Sequence, residues 1–380
     1  MQRSMNVKYF ILIGLLGFSS SLFADKKTTV SVMTQNQYLG TSLTAIISAD
    51  NDIERNLAVI NMLISVQQNR TAERIAALAQ SIAEREPHFA GLQEVEAIQC
   101  TNINPNFPQA CAQFAGAFAD HLQLTLDALA NLGTTYNAVA MVENVKLEDI
   151  PVFLDNDTLP DIVISIIDRD VILVRDDVED AAPAEFECIL QSADGCNFMN
   201  TAIVGSFPVL RGYVGVDATI DGRRFRFVNT HLEIPFALTQ PVDPNSVPVP
   251  VQRKQAEELI WALSHSEDDE DDIETILAGD FNSSPEDAYD YSPYKVISRA
   301  GYTDSWTRRP GKPSGYTCCQ DSDLSNLEST LDTRIDHVFT ASIPRRVKAK
   351  ANVLDNQPED KTVTGLWPSD HATVSVRLRY

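Results

Sequence analysis

Five apolar runs in this chain carry, at one end, side chains that can do chemistry. Asn36 closes the first. Glu94 closes the second, and His231 closes a third in Asn229-Thr230-His231. Asp280 and Asn282 follow a fourth, and Asp370-His371 lies before a fifth, C-terminal run. A charged group at the end of a buried strand needs a partner, and open α/β sheets bind ligands beyond their strand ends. A centre drawing one residue from each segment would mix carboxylate, amide and imidazole. Oxygen-rich sets of that kind suit Mg2+ or Mn2+ better than zinc, and a histidine beside them could take a proton from water. Each segment alone is a weak signal; their joint occurrence in this order carries the reading.

The elements needed to position these residues are legible as alternating strands and helices. Strands are expected over 29–34, 89–95, 136–142, 170–174, 275–280, 334–340 and 372–380, and a hairpin over 214–232 turning at Asp221-Gly222. Helices are expected over 71–86, where Ile75, Leu78, Ala79, Ile82 and Ala83 share a face, over 120–132, and over 251–264. Residues 143–169 read as an acidic, proline-interrupted insertion. The run 267–274 reads as a solvated acidic loop without the spacing of a calcium site.

Composition narrows the chemistry. The chain has 380 residues, with 30 Lys and Arg against 53 Asp and Glu, a formal charge of −23. Collagen-like, low-complexity and largely disordered classes are excluded. Bulk charge opposes a general hold on polyphosphate, so a phosphate-directed site would need a cation to supply its positive field.

Arg3 and Lys8 precede the apolar run Phe10–Phe18, and Ser19-Ser-Ser-Leu-Phe-Ala24 follows, with Leu22 larger than the usual small residue at −3. This pattern predicts a signal peptide over 1–24, cleaved after Ala24, and a single domain over 25–380. The product would be secreted or periplasmic. No later run is long and apolar enough to span a bilayer. In an oxidising compartment the six cysteines suggest disulfides. Cys100 with Cys111 and Cys188 with Cys196 would close short loops, whereas a bridge between the adjacent Cys318 and Cys319 would be strained.

The ordered set Met33-Thr-Gln-Asn36, Leu92-Gln-Glu94-Val95, Asn229-Thr-His231-Leu232, Gly279-Asp280-Phe-Asn282, Arg334-Ile-Asp336-His337 and Ser369-Asp370-His371 resembles the endonuclease/exonuclease/phosphatase superfamily, the deoxyribonuclease-I-like fold. Gly315-Tyr-Thr-Cys-Cys319 adds likeness to its secreted bacterial members. The resemblance implies an α/β four-layer sandwich of two packed mixed β-sheets flanked by helices. It also implies metal-dependent phosphoester hydrolysis at one edge. By the same resemblance Glu94 is the principal metal ligand, with Asn36 nearby and Asp370 completing the set. His371 is the general base, oriented by Asp336. Asp280 positions water, Asn282 binds phosphoryl oxygens, and His231 steadies the phosphate or protonates the leaving group.

Departures from the pattern bear on substrate. Tyr38 stands where abasic-site endonucleases of the superfamily carry an acid, and the Trp-Cys-Asp-Arg signature of inositol polyphosphate 5-phosphatases is missing. A secreted phosphodiesterase remains, with a nuclease as the leading reading and a lipid phosphodiesterase acting on a phospholipid headgroup, as sphingomyelinases do, as the alternative. An inactive binding protein of the same fold is the alternative from another class. Arg211, Arg253 and Arg334 are candidate phosphate contacts. The proline-rich stretch from Glu233 to Val251 is expected to loop over the site. Nothing suggests an oligomer.

Overall fold

A computed structural model describes residues 27–155, 159–204, 207–235, 250–266, 273–311, 313–341 and 347–380. The expected signal peptide over 1–24, most of the proline-rich stretch and most of the acidic run lie outside these residues.

Period-two alternation builds a first sheet from β1 (Thr29–Asn36), β2 (Phe89–Gln93), β3 (Ala97–Asn102), β4 (Tyr136–Val152) and β5 (Ile162–Arg175). The second sheet is built mainly from β6 (Gly212–Ile220), β7 (Arg223–His231), β8 (Glu274–Asp280) and β9 (Asp336–Thr340). The chain then returns to the first sheet through β10 (Lys348–Leu354) and β11 (Thr373–Arg379). The strand order of the first sheet is β10-β11-β1-β2-β5-β3, with β4 also paired to β5; in the second, β9-β8-β7-β6 is extended by short strands. Both sheets are mixed, since β1 is parallel to β2 and β7 to β8 while the other pairings of these strands are antiparallel.

The inward residues of the two sheets interleave in one core. Val30, Val32 and Phe89 meet Val214, Phe225 and Phe227, and the Phe89 and Phe227 rings stack at 5.2 Å between centroids. Helices cover the outer faces. α1 (Asp52–Gln68) packs on Ile162, Ile164 and Ile166 of β5. α2 (Thr71–Arg85) packs Ala79 and Ile82 on Met33, Ala90 and Leu92. α3 (His121–Asn131) is capped by Asp120 and adds Leu129 to that cluster. α4 (Val251–Ser264) packs Ala256 and Leu259 on Val228 and Leu277. The result is the four-layer sandwich that the resemblance implies.

Asn229 ties the two sheets together. Fully buried, it donates through Nδ2 to Leu92 O at 2.9 Å and to Val171 O at 3.2 Å, and its Oδ1 accepts from Gln93 Nε2. A methyl group on Gly91 would stand 2.7 Å from Asn229 Oδ1, so that strand needs a glycine there. The turn at Asp221-Gly222 has positive φ at both residues, 54° and 80°, as a type I′ turn requires.

Some expectations need correction. Residues 143–169 are no insertion, because most of them extend β4 and β5 into a long hairpin. Register shifts between Ala138 and Ala140, Glu143 and Lys146, and Leu147 and Ile150 break the alternation that would have revealed it. Pro151 is tolerated because β4 pairs on one side only. The cysteines bridge as Cys100–Cys111 and Cys188–Cys196, and also as the adjacent Cys318–Cys319 that the sequence disfavours. Among the described residues no helix is long and apolar enough to cross a membrane.

Candidate active site

β7 and β8 end level with one another, and the antiparallel β9 begins at the same level. His231 pairs in register with Asp280, and Asp280 with Asp336. One cross-strand row of the second sheet therefore carries an imidazole and two carboxylates. Gly279 permits the close approach: its φ is 147°, and a methyl group there would fall 2.0 Å from Thr230 O. The first sheet supplies Asn36 at the end of β1 and Glu94 just past β2. Tyr38, Glu94 and Asn282 all have positive φ, near 50°, so the chain leaves three strands through conformations that cost free energy. Such residues cluster where function holds them in place.

The two halves meet at Asn36. Its Nδ2 donates to Glu94 Oε1 at 3.0 Å and to Asp280 Oδ2 at 3.2 Å, while its Oδ1 accepts from Tyr38 N at 3.0 Å. Ser369 Oγ donates to Asn36 O at 2.8 Å and accepts from His371 N at 3.1 Å, locking the Asp370-His371 turn to the same strand end. His371 Nδ1 lies 2.9 Å from Asp336 Oδ2, and its Nε2 lies 3.7 Å from Asp280 Oδ2. Thr317, from the Gly315–Cys319 segment, braces this pair. Its Oγ1 accepts from Asp336 N at 3.2 Å, and its carbonyl accepts from Ala372 N at 2.7 Å. All eight residues named by the resemblance thus lie in or beside one cluster.

The two histidines have opposite environments. Burial opposes a charge on His371, but Asp336 and Asp280 outweigh it and hold its pKa well above the ordinary histidine value. Burial pushes His231 well below that value, and Arg211 and His371 push the same way. Arg211 Nη1 sits 3.0 Å from His231 Nδ1. A guanidinium can only donate, so Nδ1 is the bare nitrogen and Nε2 carries the proton. That Nε2 lies 3.5 Å from Asp280 Oδ2, which can accept its proton, whereas Asn282 Nδ2, 3.3 Å away, is a donor and gives its hydrogen bond to Leu232 O at 2.9 Å. One histidine is thus backed by a carboxylate and the other by a cation.

The donor set fits a hard divalent ion. Asp280, Asp336 and His371 each bring a ligand-type atom within 4.8 Å of the others, a set that adjoins but differs from the Glu94, Asn36 and Asp370 that the resemblance names as ligands. Asp336 Oδ1 is buried without a hydrogen-bond partner. Burial, then Asp336, pushes the Asp280 carboxyl up to about 7. Burial pushes Asp370 up to about 6, with His371 opposing the rise and the nearby Glu94 contributing to it. Crowded, partly unpaired carboxylates of this kind are the environment a cation would relieve. Glu94 is the half-exposed member, with its Oε2 accepting from Leu39 N at 3.3 Å.

This geometry has relatives. The model of the Endonuclease/Exonuclease/phosphatase family matches residues 56–371. The chain belongs to this family. It is accordingly a phosphoric ester hydrolase with the family's fold, in a family whose members typically work with a divalent metal. A solved endonuclease/exonuclease/phosphatase family protein from Leptotrichia buccalis is similar, with 16% identity, a TM-score of 0.51, and coverage of 92% of this chain and 100% of that one. An endonuclease/exonuclease/phosphatase from Beutenbergia cavernae is similar at 18% identity and a TM-score of 0.50, covering 93% of this chain and 72% of that one. No curated protein matches the sequence.

Of the three arginines expected at phosphate, only Arg211 reaches the family's site. Arg253 is half exposed and paired with Glu257 at 2.7 Å. Arg334 is buried against Asp304 at 2.8 Å, with Nη1 at 2.7 Å from His337 Nδ1. Both are held in ion pairs away from the site's own side chains. Arg74 went unnoticed in the sequence. Fully buried on α2, it donates to Gln37 O, Tyr38 O, Asn69 O and Pro368 O at 2.9–3.1 Å. It thereby joins the loop after Asn36 to the loop before Asp370. The one available signal was an arginine in the first turn of an otherwise apolar helix face.

Arg74→Met should therefore lower stability by on the order of 3 kcal/mol, since it strands buried carbonyls. Hydrolysis should fall too, because both metal-side loops lose their brace. Urea unfolding beside an activity assay checks both effects.

Proposed function

We propose that this protein is an exported phosphodiesterase that cleaves nucleic acid with Mg2+ or Mn2+. The observation that carries the reading is the contact of Asn36 with both Glu94 and Asp280, which joins the ends of two sheets into one cluster. Glu94, Asn36 and Asp370 would hold the metal. When bound, the ion supplies positive charge to the non-bridging and leaving oxygens of the phosphodiester.

The chain's own residues would do the rest. With Nδ1 committed to Asp336, His371 offers Nε2 as the base that takes a proton from water. Asp336 fixes the tautomer and stabilises the imidazolium that forms. Asp280 lies between the two histidines, within 3.5–3.7 Å of each, and would orient the attacking water. Asn282 would donate to a phosphoryl oxygen. His231, held neutral with its proton on Nε2, would donate a hydrogen bond to another and would not serve as an acid. Removing one such donor costs about 10² to 10³ in turnover. His231→Ala should show that loss, whereas His231→Gln, whose amide can donate but cannot act as an acid, should stay within about tenfold of wild type. Turnover of DNA and of bis-p-nitrophenyl phosphate by both variants checks this. If Gln is as damaging as Ala on DNA alone, His231 is an acid after all.

The substrate assignment is tested by offering plasmid DNA, sphingomyelin vesicles and bis-p-nitrophenyl phosphate, each with Mg2+ and with chelator. DNA cleavage abolished by chelator is expected. Preferential cleavage of sphingomyelin would move the protein to the lipid phosphodiesterases. Failure to hydrolyse any of the three would make it a binding protein on the same fold.

A further inference from the structure

The outer face of the first sheet changes character where α2 ends at Arg85. Under the helix the outward residues include Met33, Leu354 and Thr373, which are buried or half-buried. Beyond it the same rows continue as Thr29 and Ser31 on β1, Arg377 and Arg379 on β11, and Lys348 and Lys350 on β10. Period-two alternation decides this. In Val347-Lys-Ala-Lys-Ala351 and Val376-Arg-Leu-Arg379 every cation turns outward, while Ala351, Val376 and Leu378 enter the core between the sheets.

The register sets like charges against each other: Lys348 lies opposite Arg379, and Lys350 opposite Arg377. Like charges directly across a strand pair are destabilising. Lys27 joins four of them around a cavity of about 340 Å³, and Arg85 borders an adjoining hollow with Ser31, Asn352 and Ser375. No carboxylate lines either cavity, and among the described residues none of the six cations makes an ion pair. In a chain with 53 acids to 30 bases, such a face is not a by-product of composition. Lysines on an edge strand do guard against unwanted pairing, which would account for Lys348 and Lys350. It does not account for Arg377 and Arg379, because β11 is paired on both sides.

We propose that this face binds a nucleic-acid phosphate backbone, at a site separate from the catalytic edge. Guanidinium groups grip phosphate bidentately, and the interspersed hydroxyls and Asn352 amide are ordinary backbone contacts. An anionic bilayer would offer phosphates too, but faces that dock there bring apolar side chains to bury. The outward residues here, Thr29, Ser31, Asn352, Ser375 and the four strand cations, bring none. The face lies at the start of β1 and Asn36 at its end, a separation of roughly 23 Å at about 3.3 Å per residue. A long polynucleotide can thus be held at one end of the sheet while another stretch of it enters the catalytic cluster. The proposal deepens the nuclease reading and rests on it for that consequence, but binding is measurable without turnover.

The experiment is fluorescence anisotropy of a labelled DNA duplex in chelator, across a salt series. It compares wild type with Lys348→Gln/Lys350→Gln/Arg377→Gln/Arg379→Gln, and with the milder Lys348→Gln/Lys350→Gln in case the fourfold variant misfolds. The fourfold variant should bind at least tenfold more weakly at low salt. Its slope of log affinity against log salt should shrink by about 3 to 4, and that of the double variant by about half as much. Hydrolysis of bis-p-nitrophenyl phosphate should be unchanged in both. Equal affinity and slope in wild type and variants would overturn the proposal. So would a wild type that sediments with anionic phospholipid vesicles yet binds duplex no better than the variants do. A wild type that binds duplex through these residues but hydrolyses no phosphodiester would sustain the site and remove the catalytic reading alone.

Discussion

His371→Ala should abolish phosphodiester turnover, with a loss of at least about 10³, at the upper part of the range for removing a general base, and without a matching loss of stability. Of the two histidines in the cluster, His371 is the one that is hydrogen-bonded to a carboxylate, at 2.9 Å from Asp336, and the one whose charged form its surroundings favour. The sign of the pH dependence follows. A base works when unprotonated, so carboxylates that raise its pKa displace the rising limb of activity to higher pH than a free histidine would show. Asp336→Asn removes the closest of these carboxylates. The rising limb should move to lower pH while maximal turnover falls, because the amide cannot stabilise the imidazolium. A pH–rate profile of the metal-loaded wild type and Asp336→Asn measures both. A limb that stays in place while turnover collapses would mean that another group supplies the base.

Glu94→Gln is the second large effect expected: tight divalent-metal binding is lost, and hydrolysis falls to the level seen in chelator. The substitution keeps size and shape and removes one charge. Glu94 sits at a positive φ of 53°, outside any strand, with Oε1 on Asn36 and Oε2 on Leu39 N. A backbone held in that conformation is costly, and its consequence here is to carry a carboxylate to the rim of a crowded acidic cluster. Isothermal titration with Mn2+ reads the binding loss independently of turnover. A variant that binds Mn2+ as tightly as wild type would remove Glu94 from the ligand set, even if it were inactive.

Much of this site was legible because its residues end strongly apolar strands. Asn36, His231 and Asp280 sit at the last positions of β1, β7 and β8, where period-two patterning is clearest. Other features left no such trace. α1 escapes notice because Ile53, Leu57 and Ile64 are exposed, which spreads apolar residues around the helix and blurs its face. β10 was missed because alternating Lys and Ala resembles a solvated loop as much as a strand. Arg211, Arg253 and Arg334 are equivalent to the eye in sequence. Only packing distinguishes the one that backs a histidine from the two held in ion pairs. Arg74 acts on backbone carbonyls from four separate positions, and no local pattern encodes such a convergence.

The reactive groups come from both sides of a seam. Asn36 and, just past its strand, Glu94 come from one sheet, His231, Asp280 and Asp336 from the other, and the Asn36 amide and the His371–Asp336 pair bridge them. Alignment at phosphorus is therefore inherited from how the two layers mate along their whole length, the Phe89–Phe227 stack and the Asn229 tie included. Solvent-facing connections can drift freely in such a molecule, whereas a slip of the interleaved interior by a fraction of a bond length would mis-set the catalyst while leaving every reactive side chain in place.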